Sequence, residues 1–296
     1  MTALAYALCV LMGVAACGGM KKKEQEPGIP ANAQVLLNKY NEVLDAAKAK
    51  ADPSDGWLEK SECDGMLWAG KYLCGGGSPR LEAAEYQNEP GKFNRRPSPY
   101  CGEEFGNSKT TWSRDMGMGL MSGAWCSKNR GILERHASYG VKKNWIMGEP
   151  FADGRAVYTP SIIGILYQVI YSLGGADTTA RHTPSIFSSG LDDYQAHLQM
   201  IDIWLRGETA RREIDLSLDI SQTMYERVKE HSDREPTCPF YQYMRGIYDG
   251  SLETVTSLLL ESDKPKCQYV RGSDGVFTSE WLFVAKLTLK KFGAVE

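Results

Sequence analysis

The stretch TTWSRDMGMGLMSGAW, Thr110 to Trp125, decides how the chain is read. Thr110, Thr111 and Ser113 carry small hydroxyl side chains that suit a helix N-cap, and Arg114 and Asp115 follow beside Trp112. Met116, Met118, Leu120, Met121 and Trp125 then continue an apolar run interrupted by Gly117, Gly119 and Gly123. Each glycine costs a helix about 1 kcal/mol, which is tolerable where neighbouring helices must come close. A carboxylate and a guanidinium at the mouth of a buried helix suit the floor of a pocket better than a core. Arg114 and Asp115 are therefore candidate site residues. The plainer alternative makes Asp115 the cap of its own helix and Arg114 a solvated neighbour.

Outward from this run the chain reads as helices. Val35, Leu36, Tyr40, Val43, Leu44 and Ala47 recur at helical spacing over 33–50, and DPSDG breaks the pattern. A second helix is expected over Cys63–Leu73, ended by CGGGSP, then the central one at 112–127 and another at 129–143. SIIGILYQVIYSL (161–173) reads as a buried helix, although its β-branched residues also permit a strand. Residues 192–207 and 208–232 read as a helical hairpin, Pro236–Tyr248 and Leu252–Leu260 as another pair, and Thr278–Phe292 as the last helix. Two long connections, 75–110 and 144–160, are rich in aromatics and arginines, and loops of that length in a domain are commonly functional. The expectation is an all-α chain of about ten helices, one domain over 32–296.

Composition narrows the function classes. A net charge of -3, with 24% charged and 42% hydrophobic residues, describes a globular protein without the basic excess of a nucleic-acid binder. Four scattered histidines and the lack of CxxC or HExxH spacing point to no metal site, and no cofactor signature is present. Neither GxSxG nor a phosphate-binding loop occurs.

Residues 1–16, MTALAYALCVLMGVAA, are too short for a membrane span of about 20 residues and read as an export signal. Val14-Ala15-Ala16-Cys17 resembles the lipobox of bacterial lipoproteins. That resemblance implies lipidation at Cys17, a flexible tether over 17–31 and a membrane-anchored place in the cell envelope, facing the periplasm or exterior. Setting aside Cys9 and Cys17 leaves six cysteines, an even number that suits disulfides in an exported chain. Cys63 and Cys74 stand about 16 Å apart if they end one helix, too far to bridge. The preferred pairs are Cys74–Cys101 and Cys238–Cys267, leaving Cys63–Cys126.

CDGMLWAG (63–70), FNRRP (93–97), WSRDMGMGLM (112–121) and MGEPFADGRAVYTPSIIGIL (147–166) together resemble the six-hairpin, (α/α)-toroid carbohydrate-active proteins. These include glycoside hydrolases, unsaturated-uronyl hydrolases and polysaccharide lyases. The resemblance implies a helical-hairpin toroid, incomplete at about ten helices against twelve, with a substrate cleft at one end. Carried over residue by residue, it makes Asp64 and Asp115 the acid/base pair acting on a glycan or oligosaccharide, with Trp68 and Trp112 close by. A carboxylate at a helix N-terminus is favoured in its charged form, so the acid needs burial or a second carboxylate, and Glu62 and Glu149 are reserves. Arg96, Arg114 and Arg155 suit bidentate binding of an acidic sugar, or else pair with protein carboxylates. Tyr158 and Trp145 are candidate platforms, and His197 is a proton carrier, a hydroxyl ligand or a core histidine. The alternative function is a non-catalytic lipoprotein of the same fold that binds a glycan or a protein.

Overall fold

A helix forms wherever the sequence supplies an apolar stripe, a start and a stop. The computed structural model describes residues 29–58, 64–97, 112–148, 157–182, 193–209 and 218–296. Among them are ten α-helices: α1 (Ala31–Lys50), α2 (Gly65–Cys74), α3 (Arg114–Ser127), α4 (Arg130–Lys142), α5 (Pro160–Ser172), α6 (Asp193–Thr209), α7 (Leu218–Arg234), α8 (Pro239–Asp249), α9 (Glu253–Glu261) and α10 (Asp274–Lys291). Strand structure among these residues is limited to two isolated bridges, Glu85 with Phe93 and Ile146 with Val157. The chain is all-α.

The boundaries have local causes. Pro160 and Pro239 occupy first turns, where a missing N–H costs nothing, and the Thr159 side chain accepts from the Ile162 N–H to cap α5. The β-branched run 161–173 is thus a helix, closed at both ends by helix punctuation. Gly250, at φ 76°, ends α8 in the left-handed conformation that glycine adopts without strain. In α1, Leu36, Tyr40, Leu44 and Ala47 form the buried stripe. The Tyr40 hydroxyl donates to the Gly75 carbonyl at 2.8 Å, and the Lys39 ammonium donates to the Leu259 carbonyl at 2.8 Å. α1 thereby ties the end of α2 to the end of α9.

Helices α2 and α3 run parallel, and their register can be read from their contacts. A methyl placed on Gly119 would strike Leu67, one on Gly70 would strike the Gly119 carbonyl, and Gly123 lies against Gly70. Cys74 then meets Cys126 in a disulfide, with Cα atoms 5.1 Å apart. Residue numbers rise together along both helices, so the glycines of the opening motif are where two backbones touch. α10 is parallel to α2 as well: Lys71 pairs with Glu280, and Gly75 abuts Leu282 and Phe283. α6 follows α10 in the same sense, with His197 stacked on Tyr269 just before α10 and Trp204 edge-on to Phe283. α6 also packs on α3, so α2, α3, α6 and α10 run in one sense, with α6 meeting α10 through the Trp204 and Phe283 rings. α5 joins them: Ser161 and Gln168 meet Arg206, while Gln168 and Ser172 meet Thr209. α4 runs antiparallel to α5, with Arg130 donating to the Gly174 carbonyl just after α5 and His136 bonded to Tyr158 just before it. α7 and α8 form a hairpin joined by Arg245–Asp233 and by the Tyr225 hydroxyl on Asp249.

The disulfides correct one expectation and support another. Cys238–Cys267 forms as expected, but Cys74 is bonded to Cys126, so neither Cys74–Cys101 nor Cys63–Cys126 exists. Cys74 and Cys126 end two parallel helices in register, and that proximity has no trace in linear spacing. Cys63 and Cys101 lie outside the described residues, as do Cys17 and the signal and tether segments. No helix of the described residues is long and apolar enough to cross a membrane.

Candidate functional site

The parallel arrangement sets the N-termini of α2, α3, α5, α6 and α10 at one end of the molecule, where their dipoles add positive potential. Asp64 precedes α2 and Asp115 lies in the first turn of α3. Gly119 on Leu67 and Cys126 on Cys74 share an offset of 52 residues, which sets Asp115 one position short of Asp64. One helical residue rises about 1.5 Å, so the two aspartates are nearly level on adjoining helices.

Their surroundings differ. Asp64 is partly exposed and accepts from the Arg95 guanidinium at 3.0 Å. The Arg95 carbonyl accepts from the Met66 N–H at 2.7 Å, so one residue both caps α2 and holds its aspartate. Arg96 is buried, with its Cβ against Gly65. Asp115 is 1% exposed and accepts a hydrogen bond from the Ser113 hydroxyl.

Behind Asp115 runs a buried chain of hydrogen bonds. The Trp112 indole N–H donates to the Tyr158 hydroxyl at 2.9 Å. His136 lies 2.8 Å from that hydroxyl through Nε2 and 2.8 Å from the Gly91 carbonyl through Nδ1. A carbonyl only accepts, so Nδ1 carries the proton; Nε2 is then the acceptor and the Tyr158 hydroxyl donates to it. Burial pushes the His136 pKa down to about 4, against the opposing Gly91 bond and the Glu85 charge, and keeps the ring neutral. Burial, with the nearby Asp115 charge, raises the Tyr158 hydroxyl far above its usual range, although the Trp112 bond opposes this. Glu85 fastens the preceding loop to α4: it takes two bonds from Arg135, at 2.7 and 2.6 Å, and one from the Gly91 N–H at 2.8 Å.

A second polar cluster lies about two turns along α2. Lys71 is 1% exposed and pairs with fully buried Glu280. The Tyr269 hydroxyl donates to the other Glu280 oxygen at 2.6 Å. The Lys71 ammonium stands 5.2 Å from the Trp68 ring, 5.3 Å from Phe240, 4.8 Å from Tyr269 and 5.6 Å from Phe283. Desolvation lowers the Lys71 pKa, while the Glu280 charge and hydrogen bond resist that shift. Four aromatic faces and one carboxylate account for a cation in a helical core.

The expected site residues thus fall into two groups. Asp64, Arg96, Trp112, Arg114, Asp115 and Tyr158 gather at the N-terminal end, with Arg114 reaching the Val157 carbonyl at 3.4 Å. Trp112 and Tyr158 are bonded to each other and buried, so their rings serve as packing in this conformation. Trp68 and His197 belong to the Lys71 cluster, Trp68 against the ammonium and His197 stacked on Tyr269 at 4.7 Å. Trp145 is partly buried, edge-on to Tyr167. Arg155, Glu62 and Glu149 lie outside the described residues. Sequence reading missed His136, Lys71, Glu280 and Tyr269. Only Lys71 left a signal, a lone cation inside the otherwise uncharged run GMLWAGKYLC. Among the described residues no group of three or more His, Cys, Asp or Glu side chains is placed to hold a metal ion. Compared with known proteins, the chain matches no family model, no curated sequence and no solved structure.

Proposed function

We propose that the N-terminal end of the parallel helices is the substrate site of an extracytoplasmic, lipid-anchored carbohydrate-active enzyme, a glycoside hydrolase or polysaccharide lyase on a helical toroid. The observation that carries this reading is the level placement of Asp64 and Asp115 on two helices in backbone contact. Two carboxyl groups beside one glycosidic bond are the minimum apparatus for hydrolysis. One of the two, Asp64 or Asp115, gives a proton to the leaving oxygen as the C–O bond breaks. The other accepts a proton from the water that attacks the sugar carbon. The adjoining Arg96 and Arg114 and five helix N-termini favour an acidic sugar. The group of parallel helices α2, α3, α6 and α10 supports a toroid, and two disulfides support an oxidising compartment.

A second reading has its own observation. Asp115 is 1% exposed, and Trp112 and Tyr158 are locked in internal bonds, as befits a binding protein whose Asp115 shapes a helix end. The test is a screen of uronate-containing and neutral oligosaccharides for turnover and for binding, using the parent, Asp64→Asn and Asp115→Asn. Turnover lost in both variants supports the enzyme. Binding without turnover, unchanged in both variants, replaces it with the binding protein.

A further inference from the structure

A lysine and a glutamate in contact inside a dry core are the two halves of an amide. Lys71 of α2 and Glu280 of α10 are such a pair: their side chains are 1% and 0% exposed, and the ammonium meets one carboxylate oxygen, Oε2. Neither belongs to the Asp64–Asp115 site. At Lys229–Asp233 and Lys264–Asp274 both partners are exposed, and water holds both as ions. Lys71 has aromatic rings in place of that water. The ring centres of Trp68, Phe240, Tyr269 and Phe283 stand between 4.8 and 5.6 Å from its ammonium. Such a medium favours a neutral pair over two ions, and desolvation is the largest influence on the Lys71 pKa, which it lowers. One proton passed from Nζ to Oε2 leaves a free amine against a carboxylic acid.

The two carboxyl oxygens have different partners, and that difference sets their fates. Oε2 faces Lys71, while Oε1 accepts from the Tyr269 hydroxyl at 2.6 Å. Burial, with the Glu280 charge, holds that hydroxyl protonated by raising its pKa well above the usual tyrosine value. It is therefore a fixed donor aimed at the oxygen on which charge gathers when an amine adds to the carboxyl carbon. We propose that Lys71 and Glu280 join in an intramolecular isopeptide bond, a covalent tie between α2 and α10. Nζ bonds to Cδ and the Cδ–Oε2 bond breaks. Oε2 leaves as water with two of the three ammonium protons, and the third stays on the amide nitrogen. Nothing is oxidised or reduced. Oε1 becomes the amide oxygen, still bonded to Tyr269. Contact between amine and acid supplies the effective concentration, and the exchange removes two buried charges. The same dryness keeps out the water that would hydrolyse the product.

The test is peptide mapping by mass spectrometry on the full chain, denatured, reduced and digested at successive times after synthesis. The expected result is a branched peptide joining the sequence around Lys71 to that around Glu280, lighter by one water than the two separate peptides together. Lys71→Met and Glu280→Ala should abolish it. Tyr269→Phe, which keeps the ring and removes the hydroxyl, should slow its appearance by about tenfold or more. Recovery of the two peptides unjoined at every time overturns the proposal, and the parent alone decides this if a variant misfolds. A loss of water that persists in Lys71→Met belongs elsewhere in the chain and also overturns it. Equal rates in the parent and Tyr269→Phe refute the part given to Tyr269.

Discussion

Gly70→Ala tests the contact on which the candidate site rests. By helix propensity alone, alanine would stabilise α2 by about 1 kcal/mol. The structure reverses that sign. A Cβ on Gly70 stands 2.0 Å from the Gly119 carbonyl oxygen and 2.6 Å from its carbon, about 1.4 Å short of an ordinary 3.4 Å contact. α2 is held against α10 at its C-terminal end, where a Cβ on Gly75, just past the helix, would stand 2.8 Å from Leu282 by the same measure, so relief at Gly70 requires prising the seam open. Overpacking of this kind costs about 1–3 kcal/mol. With backbone as the obstacle the upper end applies, leaving a net loss of about 2 kcal/mol after the propensity gain. In a chain of this size that lowers Tm by roughly 4–8 °C. Gly207→Ala is the matched control: no atom lies within 4 Å of its Cβ, and it should be stabilised by up to about 1 kcal/mol. Urea and thermal unfolding of both variants beside the parent measure the two signs. If Gly70→Ala is as stable as the parent, the α2–α3 seam is not as described, and the levelling of the two aspartates fails with it.

Three other predictions concern the groups behind the site. His136 is neutral when folded, with its pKa lowered from 6.5 to about 4. The unfolded chain binds the proton first, so stability holds above about pH 6.5 and falls by up to about 3 kcal/mol towards pH 4. Urea midpoints across that range should show a shallower acid slope in His136→Phe, and an unchanged slope refutes the assignment. Lys71→Met should destabilise by about 3–5 kcal/mol, because Glu280 keeps a buried charge without its cation. Lys71→Met/Glu280→Gln should recover part of that loss, and simple additivity of the two single changes would show that the pair is not coupled. Replacing Cys74 and Cys126 by serine opens a link across 52 residues, worth about 4 kcal/mol. Peptide mapping of oxidised protein that finds Cys74 joined to any other cysteine rejects this bond.

Most helices were legible because their determinants are local. The stripe of α1, the proline starts of α5 and α8 and the glycine stop of α8 all act within a few residues. The glycines of α3 were legible as a sign of close approach, and that reading holds at Gly119 and Gly123. What they approach was not legible, since α2 and α3 are joined by a crossover of nearly forty residues and no spacing rule marks them as parallel neighbours. The same long-range fact decides the partner of Cys74. Asp64 and Asp115 were found through their position at helix starts, but their unequal burial depends on Arg95 and Ser113. Lys71 looks like a surface residue in one dimension. Its counter-charge Glu280 is 209 residues away, and three of its four aromatic faces come from other elements.

The Cys74–Cys126 bond also has a mechanical consequence. It pins α2 and α3 at the end away from the aspartates, so the pair behaves as a lever with its fulcrum at the disulfide. Gly70 is four residues from the fulcrum and Asp64 ten, or about 6 and 15 Å along the axis at about 1.5 Å per residue. An opening of about 1.4 Å at Gly70 becomes about 3.5 Å between the acids on this geometry. The gap between Asp64 and Asp115 can therefore be tuned by small residues along the seam that never touch a ligand.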